Sequence, residues 1–399
     1  MGSIPLVEPP ATPIPPKGWT PFALGFRPFF VLAGLSGALL MILWMVFRHM
    51  NLTASAYFGS SEWHSHEMLF GFTVAIIAGF LLTAVRNWTG MDTPTGRPLA
   101  LLALLWLAGR LLPLIPAIPD WLIAIVDLSF IPALIFALYS PLMKGVNHVN
   151  RLFLPLLGGM ALANLLYHLQ GLGFTSTGRQ GIELMLNLIL LLLIVVGGRV
   201  LPFFTEKAVS GAEPRFSKRR EQWVYITIIL WILSELLLSE AWLMFVASLS
   251  VAITQFWRFI DWHHPGVWQR PILWVLFTGL GWLIIGFLLK ALAVMGAFPH
   301  NLSTHALTAG AIGVFAMGMM ARVSLGHTGR ELQVSRMMTF GFVLINLAVA
   351  VRVFLPLTEI LTYQACVWLS GSLWVVCYLA FCLSYFPILI RPRPDGRPG

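Results

Sequence analysis

The segment Trp63-His64-Ser65-His66-Glu67 places three ionisable side chains at the start of a long apolar stretch. An ionisable group in an apolar segment of membrane-spanning length is costly in free energy, so by default it marks a functional site. Imidazole is the commonest metal ligand in proteins, and it also holds haem iron from one or both faces. The segment therefore predicts a haem or metal site, with Glu67 as the candidate catalytic group.

The composition of the chain is that of a membrane protein with many spans. Of its 399 residues 58% are hydrophobic and only 10% are charged, and the mean hydropathy is +0.82. Soluble domains carry about 25% charged residues, so that class is excluded. The formal net charge of +9 is best explained by basic residues in cytoplasmic loops. We therefore expect membrane lipid, and no nucleic acid, as a partner.

Apolar stretches long enough to cross a bilayer as a helix recur from residue 22 to residue 390. They predict an all-α protein with about twelve transmembrane helices in a single membrane domain at 22–390. The proline-rich residues 1–21 and residues 391–399 are predicted to be tails. The division at Ser239-Glu240 stays open, because a long hairpin would give the same pattern. The predicted spans are 22–47, 66–86, 99–115, 121–143, 152–173, 182–204, 222–239, 241–260, 271–296, 303–324, 336–356 and 360–390.

Lys and Arg are concentrated in alternate loops, most densely between spans 6 and 7. Because basic residues collect in cytoplasmic loops, we expect both termini in the cytoplasm. This orientation places five of the ten histidines near the outer face of the membrane, on separate helices. They are His64, His66, His168, His300 and His305. His327, at the cytoplasmic end of span 10, completes the set of candidate metal ligands.

Spans 2 and 10 look like copies of one pattern. His66 precedes Gly90 by 24 positions (90 − 66), and His305 precedes Gly329 by 24 positions (329 − 305). Two further glycines and a Thr-Gly pair match within this frame. Span 6 matches more weakly and has Ile182 where the histidine would stand. Membrane folds built from repeats often hold their site at the repeat interface, so we expect His66 and His305 to face each other.

Two histidines on different helices can clamp a haem between them, so His66 and His305 are the predicted haem ligands. Arg110 and Arg352, near the outer ends of spans 3 and 11, are candidate partners of the haem propionates. The remaining outer histidines would suit copper, since imidazole also binds that metal. They are His64, His168 and His300. A lone histidine in a membrane is more often hydrogen-bonded to a neighbouring helix than bound to a metal. Five histidines at the same depth in the membrane favour a metal site.

Other ionisable residues lie within or at the edges of the spans. Glu67, Asp127, Glu183 and Lys290 could carry protons inward from the outer face, or they could form ion pairs inside the bundle. The sequence does not separate these two interpretations.

Several long motifs resemble those of the NnrS family of bacterial inner-membrane proteins, and together they extend over most of the chain. They are Phe26-Arg27-Pro28-Phe29-Phe30, the Trp63–Phe72 segment, Asn87-Trp88-Thr89-Gly90, the Gly198–Thr205 segment, the His305–Gly313 segment and the Met319–Arg330 segment. The resemblance implies a multi-pass protein that carries haem and copper and takes part in denitrification and in defence against nitric oxide. We therefore expect haem b and copper as cofactors.

Three classes of function remain open at this point: a haem protein, a transporter and a purely structural assembly factor. The first is a haem protein that binds or removes nitric oxide, and one version of it is a reductase that receives electrons from quinol or from a periplasmic donor. At the level of fold alone, twelve helices with outer-side histidines are similar to the catalytic subunit of haem-copper oxidases and nitric oxide reductases. The second class is a transporter of a metal or a metal-nitrosyl species, built on the helix repeats.

Overall fold

The computed structural model describes residues 18–52, 57–237 and 240–396. Within these ranges the chain forms twelve long helices and no strand, which confirms the predicted all-α class and helix number. Most of the predicted tail at 1–21, residues 238 and 239 of span 7, and the last three residues of the 391–399 tail lie outside the described residues. The helices are α1 (Phe26–His49), α2 (Glu62–Thr89), α3 (Gly96–Leu114), α4 (Asp120–Lys144), α5 (His148–Gly171), α6 (Gly178–Ala208), α7 (Lys218–Leu237), α8 (Ala241–Trp262), α9 (Pro271–Val294), α10 (His300–His327), α11 (Arg336–Leu357) and α12 (Tyr363–Ile390).

Eleven of these described helices are long and apolar enough to cross a membrane, so the chain is a multi-pass membrane protein. The exception is α7, which opens on four consecutive charged residues. Separate helices on the two sides of residue 240 favour two elements over one long hairpin at this boundary.

The two helices that carry the repeated histidines form the centre of the bundle. In the most apolar part of α2, 83% of residues are buried, and in α10 the share is 89%, against 39–72% for the other nine candidate spans of the described chain. A helix that is hydrophobic all round belongs in the interior of a bundle. α1 packs on α2 and α12, while α10 packs between α9 and α11. Residues on α2 and α10 are therefore screened from lipid by their neighbours.

The α2 and α10 helices share a local irregularity that follows the repeated histidine. α2 is π-helical from Glu67 to Thr73, directly after His66, and α10 is π-helical from Ala306 to Val314, directly after His305. Both helices end where the sequence predicts a Thr-Gly turn. π-Helical turns are rare and are frequently found at functional sites. α6, the weaker third copy, is α-helical throughout, so this irregularity relates spans 2 and 10 alone.

The glycines that end α2 and α10 adopt nearly the same backbone conformation. Gly90 has a φ of 68° and Gly329 has a φ of 67°. This is the left-handed region, which glycine enters without a steric penalty and which commonly closes a helix. The matched helix ends extend the similarity of α2 and α10 over the whole 24-residue frame.

Candidate metal centre and histidine-lined cavity

Three side chains from three helices meet in the buried interior of the bundle. They are His66 on α2, Asp127 on α4 and His168 on α5. Asp127 Oδ2 lies 2.8 Å from His168 Nε2 and 3.3 Å from His66 Nε2, and each residue offers one ligand atom within 4.8 Å of the others. All three are at most 5% exposed. Two imidazoles and a carboxylate are a donor set for a transition-metal ion, and we refer to these residues as the metal cluster.

The second nitrogen of each imidazole in the metal cluster already has a partner. His66 Nδ1 lies 3.1 Å from Glu67 Oε1, and His168 Nδ1 lies 2.8 Å from the Tyr57 hydroxyl. Metal-binding histidines are usually oriented in this way through the ring nitrogen that does not touch the metal. Burial raises the pKa of Tyr57 above its ordinary value, so its hydroxyl keeps its proton. The ligand nitrogens are thus directed towards Asp127.

Charge in the metal cluster is incompletely balanced. Arg110 on α3 donates to Glu67 Oε1 at 3.1 Å and also contacts Asp127 Oδ1. Two carboxylates therefore face one guanidinium, which leaves one negative charge if both imidazoles are neutral. Glu67 Oε2 is buried and has no hydrogen-bond partner among the described residues. Since an unpaired buried charge is strongly unfavourable, the cluster suits a bound cation or a proton.

Aromatic rings close the metal cluster on the side of His66. Phe58, Phe70 and Tyr167 stack against the His66 ring with centroid separations of 4.7–4.9 Å. Asn164 on α5 donates to Asp127 Oδ2 at 2.9 Å. The cluster is consequently held in one arrangement and kept from bulk water, which strengthens every electrostatic interaction within it.

A separate cavity lies on the opposite side of α2, between α1, α10, α11 and α12. Its volume is about 90 Å³, which holds a few water-sized molecules and is smaller than the usual volume of a cofactor site. Its polar groups are His64, His305 and Arg352, together with the hydroxyls of Thr73, Thr308 and Ser370. The rest of the wall is apolar, and it includes Met41, Trp44, Met68, Leu69, Phe72, Ile312, Val349, Val367 and Trp374.

The two imidazoles of this histidine-lined cavity are free to bind a ligand. His305 Nδ1 donates to the Asn301 carbonyl at 2.6 Å, which leaves Nε2 as the unprotonated nitrogen. The His64 ring stacks on Trp44 with a centroid separation of 4.2 Å and makes no hydrogen bond to the described part of the chain. Arg352 Nη2 donates to the Tyr363 hydroxyl at 2.7 Å, whereas its buried Nη1 has no partner there.

The structure sorts the sequence-predicted residues into two groups. His66, His168, Glu67 and Arg110 meet around Asp127, which the sequence had marked only as a proton carrier or ion-pair partner. His64, His305 and Arg352 line the cavity. The predicted face-to-face pairing of His66 with His305 is therefore corrected. Residues two apart on a helix point about 200° from each other, so only one of the two α2 histidines can face α10.

His300 and His327 stand apart from both groups. His300 is exposed in a charged pocket in which Lys290 and Glu235 form an ion pair at 2.6 Å. His327 is partly buried at the other end of α10, where its ring lies 5.8 Å from that of Phe26. Neither His300 nor His327 contacts another histidine of the described chain. The ion pair with Glu235 favours a structural role for Lys290 over a role as a proton carrier.

The match to known proteins covers nearly the whole chain. The sequence profile of one family, described as NnrS protein, matches residues 20–393. The chain belongs to the NnrS family. Membership of the NnrS family supports, in general terms, a membrane protein of the nitric oxide response. No individually curated protein matches the sequence.

Proposed function

We propose that this NnrS-family protein is a haem- and copper-containing inner-membrane protein that binds nitric oxide. The observation that carries the proposal is the histidine-lined cavity, where imidazoles from two helices, His64 and His305, share one apolar space. His64 and His305 would hold a haem b, and the cavity of about 90 Å³ would have to widen to admit it. The unpartnered Nη1 of Arg352 suits a haem propionate. This assignment replaces His66 by His64 in the predicted pair.

The metal cluster is proposed to hold the copper. Imidazole is a good copper ligand, and His66 and His168 present their Nε2 atoms to a shared Asp127 oxygen. The negative charge left by Glu67 and Asp127 opposite Arg110 supports a cation at this position. In this assignment Arg110 stabilises the ligand carboxylate and does not contact a propionate.

The two sites are linked through a short segment of α2. His64 and His66 are separated by one residue, so ligands of both sites belong to the same helical turn. A haem would supply one-electron chemistry and reversible binding of a diatomic ligand, which would take the place of one of the two imidazoles. Glu67 lies against His66 with an unpartnered oxygen, where it can hold and release a proton.

A redox version of the proposal makes the protein a nitric oxide reductase. Reduction of nitric oxide consumes protons as well as electrons, and in this version the electrons come from quinol or from a periplasmic donor. Glu67 is then the catalytic proton carrier, because its carboxylate lies beside the metal cluster, against His66 Nδ1 and Arg110. Arg179 and Glu183 form a peripheral ion pair at 2.7 Å, and we assign them no part in this transfer.

A transporter of a metal or a metal-nitrosyl species is the second candidate. This candidate is supported by α2 and α10, which are related by the repeat and each contain a π-helical segment. Many transporters place their substrate site at the interface between such repeats, where helices are interrupted. A transporter would bind the metal reversibly and would need no resident haem.

A spectrum of the purified protein tests the proposal. Reduced-minus-oxidised optical spectra should show the bands of a low-spin haem, and nitric oxide should shift those bands. Metal analysis should find copper alongside the haem iron. Full-length protein that takes up copper and shows no haem band after haem reconstitution would refute the haem assignment and favour the transporter.

A further inference from the structure

A second cavity, about 80 Å³ in volume, lies at the middle of the membrane-crossing part of α2, α6 and α10. Its lining residues are Phe30, Ile76, Ile77, Phe80, Ile189, Leu192, Leu193, Val196, Ile312, Phe315, Ala316 and Met319, with Thr73 as the one hydroxyl-bearing side chain. Thr73 donates its hydroxyl to the Met68 carbonyl at 2.7 Å. No side chain in this apolar cavity is therefore available to hold an ion or a lipid headgroup.

The apolar cavity adjoins the histidine-lined cavity. Thr73 and Ile312 contribute to the walls of both spaces. These residues belong to the two π-helical segments, Glu67–Thr73 on α2 and Ala306–Val314 on α10. The irregular backbone thus lies where the two cavities share wall residues.

The opposite wall of the apolar cavity reaches the lipid-facing surface of the bundle. Phe80 and Leu193 are partly exposed, whereas the remaining lining residues are buried. α6, which carries Leu193, packs against both π-helical segments. Phe80 and Leu193 are therefore the side chains that stand between the hydrocarbon of the bilayer and the interior.

We propose that the apolar cavity is the route by which a small uncharged diatomic ligand passes from the bilayer to the histidine-lined cavity. Apolar molecules favour an apolar environment over water, so such a ligand is enriched in the hydrocarbon that Phe80 and Leu193 face. Ions and water gain no hydrogen bond in this lining and are excluded. The identity of the ligand as nitric oxide rests on the proposed function, while the route itself rests on the shared walls.

Three variants of the full-length protein test the route. Ala316→Phe fills the apolar cavity from a position that does not line the histidine-lined cavity. Leu193→Ala widens its outer wall. Ala247→Phe is the matched control, because Ala247 lies partly exposed on α8 and lines neither cavity. Each variant is reconstituted in lipid nanodiscs, and its haem spectrum is compared with that of the wild type.

The rate of the nitric-oxide-induced spectral change is measured by rapid mixing. Ala316→Phe should slow it by about tenfold or more, which corresponds to about 1.4 kcal/mol of added barrier. Leu193→Ala should not slow it, and Ala247→Phe should leave it unchanged. Equal rates in the wild type and Ala316→Phe, with intact haem spectra, would overturn the proposed route.

Xenon serves as a second probe that does not depend on haem. Apolar cavities in proteins bind xenon, so a crystal of the wild type pressurised with xenon should show it between Ile312 and Leu193. Ala316→Phe should remove this xenon. A wild type that binds xenon there but shows no response to nitric oxide would refute the proposed function and leave the cavity intact, whereas absence of xenon from the wild-type cavity would overturn the route.

Discussion

One turn of α2 carries ligands of both candidate sites, because His64 and His66 point to opposite sides of the helix. The residue types were predictable from the sequence, since buried histidines at one membrane level are rare and costly. The partners of each histidine were not predictable. His66 was predicted as a haem ligand because its spacing to the glycines of α2 is repeated in α10. Spacing along one helix does not reveal which neighbouring helix a side chain contacts. Asp127 and Tyr57 were missed as site residues because no short motif joins them to the histidines.

The first residue-scale prediction concerns Asp127. Asp127→Asn keeps the size of the side chain and removes the charge shared by His66, His168 and Arg110. We expect copper to be lost while the haem spectrum is retained. Unfolding of the copper-free protein should become easier by only about 1 kcal/mol, the net contribution of one hydrogen bond, because Arg110 keeps Glu67 as its ion-pair partner. Metal analysis and thermal unfolding in detergent measure the two effects.

Asp120→Asn is the matched control for this prediction. Asp120 is exposed at the first turn of the same helix, α4. Its replacement should alter neither copper content nor melting temperature. Full copper occupancy in Asp127→Asn protein would rule out the metal cluster as the copper site.

At the scale of elements, the π-helical segments explain why α2 and α10 can bring polar side chains into an apolar bundle. The 24-residue frame was visible in the sequence, and the structure adds that the backbone departs from α geometry at the same point in both helices. A hydropathy pattern does not reveal the change from α-helical to π-helical geometry. Nearly every side chain in these two segments is apolar, so the pattern stays the same when a turn contains one more residue. Gly71 lies within the α2 segment, and its match Gly310 lies against Trp282.

Gly71 allows the metal cluster to approach α2 closely. A methyl group at this position would lie 2.6 Å from Arg110 Nη1 and 3.2 Å from Glu67 Oε2. Gly71→Ala should therefore displace the guanidinium, destabilise the protein by about 1–3 kcal/mol and lower its affinity for copper. Thermal unfolding and copper titration of the purified variant provide the measurements.

Gly158→Ala is the control for this change, because a methyl group there would have no neighbour within 4 Å. It should be neutral or stabilising by about 0.5–1 kcal/mol, as expected for removal of a helix glycine. If Gly71→Ala behaved like Gly158→Ala in both assays, close packing of Arg110 against α2 would have no role in the site.

At the scale of the whole molecule, composition and apolar length were sufficient to predict the class. Twelve helices follow from the recurrence of apolar stretches, and their approximate bounds follow from the intervening polar residues. Which helices form the centre was not predictable from hydropathy, since α2 and α10 are no more apolar than α1 or α6. The sidedness of the bundle rests on Lys and Arg alone and stays a prediction.

Cysteine labelling checks that sidedness. Ser176, between α5 and α6, and Glu213, between α6 and α7, are both exposed. In a chain whose three native cysteines are replaced by serine, Ser176→Cys should react with a membrane-impermeant maleimide added to intact cells. Glu213→Cys should react only after the membrane is permeabilised. The reverse pattern would place the N-terminus outside the cytoplasm.

The most direct test of the account compares the haem spectra of His64→Ala and His66→Ala proteins purified in parallel. We predict that His64→Ala loses the haem or converts it to a high-spin form, because the variant lacks one of the two axial imidazoles. His66→Ala should keep the low-spin spectrum of the wild type and lose copper. A low-spin spectrum that survives in His64→Ala and disappears in His66→Ala would contradict the assignment of the haem to the cavity between His64 and His305.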